Sequence, residues 1–174
     1  MTPRLRRILF RFVIAALLAA PVIAFLDYFL PHHAVLRVVG TQVKRISDKS
    51  LATGFYVFAE EIDTKKPRVF RDEDTGWGFP WYFKFNAADV QAVAQSIADE
   101  RGTAIFTYYG WRIQILSMFP NVIKIVRAEP DAWPLPWFNL ALFGAILGAG
   151  VWFTVRRIRK QQRLMRTAGR TKTD

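Results

Sequence analysis

Hydrophobic and polar positions divide this chain into five blocks. Residues 12–30 form an apolar run with one charge, Asp27, near its far end, and residues 133–155 form a second run with none. About twenty consecutive apolar residues allow a helix to cross the hydrocarbon core of a bilayer, so both runs predict transmembrane helices. Between them the period shortens. Residues 34–46 alternate apolar and polar positions and predict a strand with a bulge at Gly40. Residues 53–63, 67–74, 103–116 and 121–129 predict four more strands, each bounded by Gly, Pro, Asn or Asp. Residues 86–102 read as the one helix among them. Asn86 is its expected N-cap, Asp89 lies near the positive end of the dipole, and Val90, Val93 and Ile97 share an apolar face with the alanines. Gly102 is the expected left-handed stop. The order of three strands, a helix and two strands is that of an OB-like barrel. The predicted fold class is therefore a membrane-anchored α+β chain, with two transmembrane helices flanking a small β-rich domain.

Charge sharpens this division. The net charge is +11, but residues 31–133 hold thirteen Lys/Arg against twelve Asp/Glu. The excess sits at the ends: four Arg and no acid in residues 1–11, eight Lys/Arg and one acid in residues 155–174. The positive-inside rule then places both termini in the cytoplasm and residues 31–132 in the periplasm. Tyr28 marks one interface of the first helix, and Trp133 and Trp137 stand against Trp152 across the second. The blocks are thus a basic N-terminus (1–11), a span (12–30), a periplasmic domain (31–132), a second span (133–155) and a basic tail (156–174). A rival reading takes the first run as a secretory signal cleaved after Ala24, which would leave a single span with the domain still outside. The near-neutral domain argues against a nucleic-acid partner. The basic tail is explained as a topology signal that also attracts anionic lipid headgroups.

Candidate chemistry is sparse. There is no cysteine, which removes disulfides, thiolate metal sites and cysteine nucleophiles. No G-x-S-x-G, Ser-x-x-Lys, P-loop or dinucleotide fingerprint occurs. Asp72, Asp74 and Gly76 begin like a calcium loop, but Trp77 stands where that loop needs glycine and Phe83 where it needs glutamate. The same segment predicts a glycine-bearing turn followed by Trp77, Phe79, Trp81, Tyr82, Phe83 and Phe85, which pack on the barrel, meet the membrane surface or dock a partner. Trp111 and Arg112 read as a strand unit in which Arg112 pairs with Asp72, Glu73 or Asp74, or binds a phosphate or carboxylate. His32 and His33 are adjacent at the membrane exit, poor placement for a metal or for separate catalytic roles. Asp27 is expected to snorkel or cap at its helix end. Gly144 and Gly148, beside Ala141, Ala145 and Ala149, form a small helix face, and Ala16 and Ala20 give the first helix another. No cofactor and no metal are expected. The expected partners are membrane lipids and other membrane proteins or a second copy.

The segments "VVGTQVKRI", "EDTGWGFPWYFKF" and "YGWRIQILSMFPNVIKI" together resemble the bacterial domain-of-unknown-function family 1523, over about residues 28–140. The resemblance implies a short bacterial inner-membrane protein of this architecture, common in alphaproteobacteria. It brings no established activity and no catalytic residues. Three functions remain open at this point. The first is a non-enzymatic accessory or scaffold protein docked on a membrane complex. The second is a periplasmic ligand- or lipid-binding module using Arg112 and residues 77–85. The third is an envelope hydrolase using Asp72, Glu73 or Asp74.

Overall fold

The computed structural model describes residues 3–45 and 53–170. Ile46, expected to end the first strand, and the last four residues of the basic tail lie outside the described residues. In chain order the elements are α1 (Pro3–Phe29), β1 (His32–Arg45), β2 (Thr53–Glu61), β3 (Pro67–Asp72), α2 (Ala87–Asp99), β4 (Thr103–Tyr109), β5 (Asn121–Arg127) and α3 (Trp137–Arg170). They form two compact units, the first ending at Leu135 and the second beginning at Pro136.

In the first unit the five strands close into a barrel in the order β1-β2-β3-β5-β4. β1 serves two neighbours. His32–Arg37 pairs antiparallel with β4, and Leu36–Arg45 pairs antiparallel with β2. The register shift between Val38 and Gly40 gives β1 the bulge expected beside Gly40, and a bulge bends and twists a strand. The ring is completed by one parallel pair, Arg71 of β3 against Asn121 of β5. Alternation fills the interior: Leu36, Val38, Val57, Phe70, Phe106 and Val122 are buried, with Phe70 stacked on Phe106 at 4.9 Å.

α2 adds Val90, Ala94 and Ile97 to that core. Val93, expected on the same face, falls at its edge and is exposed, because the buried stripe is centred on the 90–94–97 positions. The ends of α2 also differ in detail from the sequence expectation. Asn86 makes no side-chain cap bond; the N–H of Ala87 is instead accepted by Asp74 Oδ1 at 2.9 Å, from across the loop. At the other end Arg101, not Gly102, takes the left-handed conformation, at φ +52°. Arg101 N–H reaches Ala98 O at 2.9 Å and Gly102 N–H reaches Ile97 O at 2.8 Å, the paired bonds of a Schellman stop. The glycine is needed one place later for space, since a Cβ there would stand 3.0 Å from Ile97 Cγ2.

The fourth strand is shorter than expected. β4 ends at Tyr109, and the chain turns away at Gly110, φ +89°. Residues 111–118 form a loop closed by the Ile113–Met118 bridge instead of continuing as strand. In the second unit the helix begins at Trp137, four residues into the apolar run, because Pro134 and Pro136 disfavour helical geometry before them. α3 then continues through the basic residues as far as Arg170. Among the described residues two helices are long and apolar enough to cross a membrane, over Leu5–Phe29 and Trp137–Gln162.

Candidate functional site

A helix ends with four backbone carbonyls that its own N–H groups cannot reach. In α1 the barrel supplies most of the missing donors. Leu30 N–H caps Leu26 O at 2.8 Å. His32 Nε2 lies 2.8 Å from Asp27 O, which puts the imidazole proton on Nε2. Gly110 N–H donates to Tyr28 O at 2.8 Å. The Tyr82 hydroxyl donates to Phe29 O. One side-chain bond completes the joint: Trp111 Nε1 donates to Asp27 Oδ2 at 2.7 Å. Asp27 therefore works as a fixed acceptor for Trp111 at the helix end, where a snorkelling or capping role was expected of it. Only Leu30 and Pro31 separate α1 from β1, so the helix and the barrel are joined without a spacer. Burial pushes the Tyr82 hydroxyl up to about 12, with Tyr109 adding to the shift, so the proton that Phe29 O needs stays in place across the physiological range.

The aromatic loop meets α1 through Phe79 and the Tyr82 hydroxyl, and the barrel through the Tyr82 ring and Lys84. Phe79 lies 4.5 Å from the Phe29 ring and 6.0 Å from Phe25, and Trp81 stands edge-on to Phe79 at 5.3 Å. Tyr82 stacks on Tyr109 at 5.1 Å, and Trp111 meets Tyr28 at 5.3 Å. Trp77 belongs to a separate cluster with Phe83 and Phe85. Much of this surface is open: Trp77 is 79% exposed and Trp81 68%, and Phe79, Phe83 and Phe85 are each about half exposed. The following loop carries Ile115 and Leu116, also exposed.

The neck of the loop is polar and closed. Asp72 and Lys84 form an ion pair with both side chains buried. Lys84 Nζ also donates to Glu73 O at 3.3 Å, and its backbone N–H to Thr75 Oγ1 at 3.2 Å. Asn121 accepts the Glu73 N–H and donates to Glu73 O and to the Tyr109 hydroxyl, at 2.9, 3.0 and 3.1 Å. Burial raises the Asp72 carboxyl above its ordinary value, against the pull of Lys84, and its second oxygen, Oδ2, has no hydrogen-bond partner.

The remaining expectations are distributed as follows. Arg112 does not pair with the loop acids. Its Nη1 donates to Met118 O at 2.8 Å and its guanidinium lies 4.0 Å over the Phe119 ring, so it folds back on its own loop. The three acids have different principal partners but share one neighbourhood: Asp72 pairs with Lys84, Glu73 with Arg71 at 3.1 Å, and Asp74 Oδ1 accepts the N–H of Ala87 while lying 3.9 Å from Lys84 Nζ. His33 turns to Thr107 Oγ1 at 3.1 Å while His32 turns to α1. Among the described residues no three His, Asp or Glu side chains gather as a metal site. An open cleft of about 360 Å³ lies elsewhere on the barrel, bordered by Leu36, Glu61, Thr64 and Arg68. Gly144 and Gly148 have nothing within 4 Å of a would-be Cβ, and Ala16 and Ala20 are exposed on α1.

Sequence reasoning missed Lys84 and Gly110. Lys84 is the single cation inside an aromatic run, and Gly110 interrupts a run of strand formers. Each was a signal of an exceptional position.

No solved structure matches this chain. An uncharacterised protein of Haemophilus influenzae (strain ATCC 51907 / DSM 11121 / KW20 / Rd) is 33% identical, over 83% of this chain and 94% of its own length. Residues 6–162 match the family described as protein of unknown function (DUF1523), and the three segments that resemble it fall, over their described residues, in the second half of β1, the aromatic loop and the passage from β4 to β5. The chain therefore belongs to the DUF1523 family.

Proposed function

We propose that this protein is a non-enzymatic accessory or scaffold protein of the bacterial inner membrane, anchored by α1 and α3, that presents an OB-like barrel in the periplasm to a membrane complex. The observation that carries this reading is the joint between α1 and the barrel. The last-turn carbonyls of an apolar helix are capped by His32, Gly110 and Tyr82, so a span and a folded domain are built as one rigid piece. Such a joint suits a part that must hold a domain at a fixed height and angle. The strand order, with a helix between the third and fourth strands, supports the OB-like assignment. Asp72 and Glu73 are taken up by ion pairs with Lys84 and Arg71 and Asp74 by the start of α2, which supports a role other than hydrolysis, and the folded-back Arg112 weakens the ligand-binding alternative.

The small faces of the helices are the proposed contacts with other spans, since small residues let helix backbones approach closely. The test is purification of the tagged full chain in gentle detergent, with mass spectrometry of its companions. A near-stoichiometric companion is expected, and Gly144→Leu with Gly148→Leu is expected to lose it. Emergence of the protein alone would count against the scaffold reading and favour a lipid- or ligand-binding module.

A further inference from the structure

The joint at the root of α1 also fixes the depth of the aromatic loop. It does so on the reading, proposed above, that α1 crosses the membrane. Arg11 is the last charge before the apolar run. From Arg11 to Phe29 a helix rises about 27 Å, at 1.5 Å per residue, and the hydrocarbon core is about 30 Å thick. α1 can therefore cross only if Phe29 lies at the outer edge of the hydrocarbon. The two-residue link to β1 leaves no slack to lift the barrel away. Phe79 touches Phe29 and also Phe25, about 6 Å deeper along the helix. Phe79 must then enter the edge of the bilayer, and Trp81, packed on it, must lie nearby.

The chemistry of the loop agrees. Residues 75–85 contain no acid, and their one cation, Lys84, is buried on Asp72. No free charge has to be dragged from water. Aromatic side chains with an apolar body are favoured at the membrane interface, whereas a contiguous exposed patch of this kind is uncommon on a soluble surface. We infer that the tip of the aromatic loop is inserted in the outer interface of the bilayer, with Phe79 at the acyl edge and Trp81 among the headgroups. The barrel is thus held on the lipid by this loop as well as by α1.

The absence of cysteine makes a direct test simple. Single variants Trp81→Cys, Leu17→Cys and Asp99→Cys of the full chain would each be nitroxide-labelled in vesicles of phosphatidylethanolamine and phosphatidylglycerol. All three sites are exposed, so the substitutions spare the core. Asp99 lies at the end of the barrel from which β4 runs about 20 Å to Tyr109. Accessibility to oxygen and to a water-soluble nickel chelate is read by electron paramagnetic resonance. The expected oxygen-to-nickel ratio is highest at Leu17, intermediate at Trp81 and lowest at Asp99. A Trp81 label as open to nickel as the Asp99 label overturns the insertion while leaving the span intact. A Trp81 label shielded from both reagents also overturns it and assigns the loop to a protein partner or a second copy. An aqueous Leu17 label sinks the span reading itself.

Discussion

At the residue scale the most exacting feature is the buried pair of Asp72 and Lys84. Taking two charges out of water is costly, and their attraction returns that cost only with good geometry and further hydrogen bonds. Lys84 has its bonds to Glu73 O and Asp72; Asp72 Oδ2 has none. The pair is therefore weak as a source of stability but severe to break. Lys84→Met leaves a buried carboxylate alone and is expected to cost about 3–5 kcal/mol at neutral pH. Asp72→Asn in the same chain is expected to recover much of that. The pH dependence has a definite sign. A carboxyl raised by burial holds its proton more tightly folded than unfolded, so its contribution is full below the ordinary carboxylate value and fades as pH rises towards the raised one. The Lys84→Met deficit should accordingly shrink on acidification into the carboxylate range. Melting curves of the detergent-solubilised variants at neutral and acidic pH measure this; an equal deficit at both would mean that charge is not its source.

At the scale of elements the joint between α1 and the barrel can be loosened without touching the core. Gly110 adopts φ +89°, and a Cβ there would meet the Tyr28 ring at 3.5 Å. Gly110→Ala forces a side chain into a conformation that costs on the order of 1–3 kcal/mol. It is expected to detach residues 110–118 from α1 before the barrel unfolds. Amide exchange reads this directly: the N–H of residue 110, bound to Tyr28 O, should exchange faster in Gly110→Ala and in a Trp111→Phe variant, which loses the bond to Asp27, while Phe106 in β4 stays protected. Protection lost equally at both would show that the joint and the barrel are one cooperative unit. What could be read from sequence divides along the same line. Strand order, the bulge at Gly40 and the α2 helix were legible because they follow from local period and from single glycines. The extension of β4 to residue 116 was not, because residues 111–116 keep an alternating pattern while Gly110 has already turned the chain to reach a helix more than eighty residues earlier. The partners of Arg112 and of the loop acids were illegible for the same reason. Charges can be matched on paper in several ways, and only the fold decides that Asp72 meets Lys84 and Asp74 meets Ala87.

At the scale of the whole molecule, length and charge can be compared between the two helices independently. In α1 the rise from Arg11 to Phe29 is about 27 Å; in α3 the rise from Trp137 to Arg156 is about 28 Å. Both match a hydrocarbon core of about 30 Å, and each stretch ends in basic residues on one side and aromatic residues on the other. Arg156 lies 5.0 Å over the Trp152 ring, a pairing suited to an interface. Charges that resist translocation lie at both outer ends, and the segment between them is nearly neutral. The expected topology has both termini in the cytoplasm. A fluorescent protein that folds only in the cytoplasm should glow when fused to either end. Alkaline phosphatase, active only outside it, should work when inserted in the turn after Glu61, which lies between β2 and β3. A dark C-terminal fusion with an active insertion would mean that α3 does not cross, and the barrel would then hang from α1 alone. Loss of an N-terminal tag by cleavage after Ala24 would remove most of α1, and with it the fixed height that the joint provides. The two results bear on different parts of the reading. The first removes the second anchor but keeps the loop at its depth. The second keeps α3 but removes the length argument that seats the aromatic loop in the bilayer.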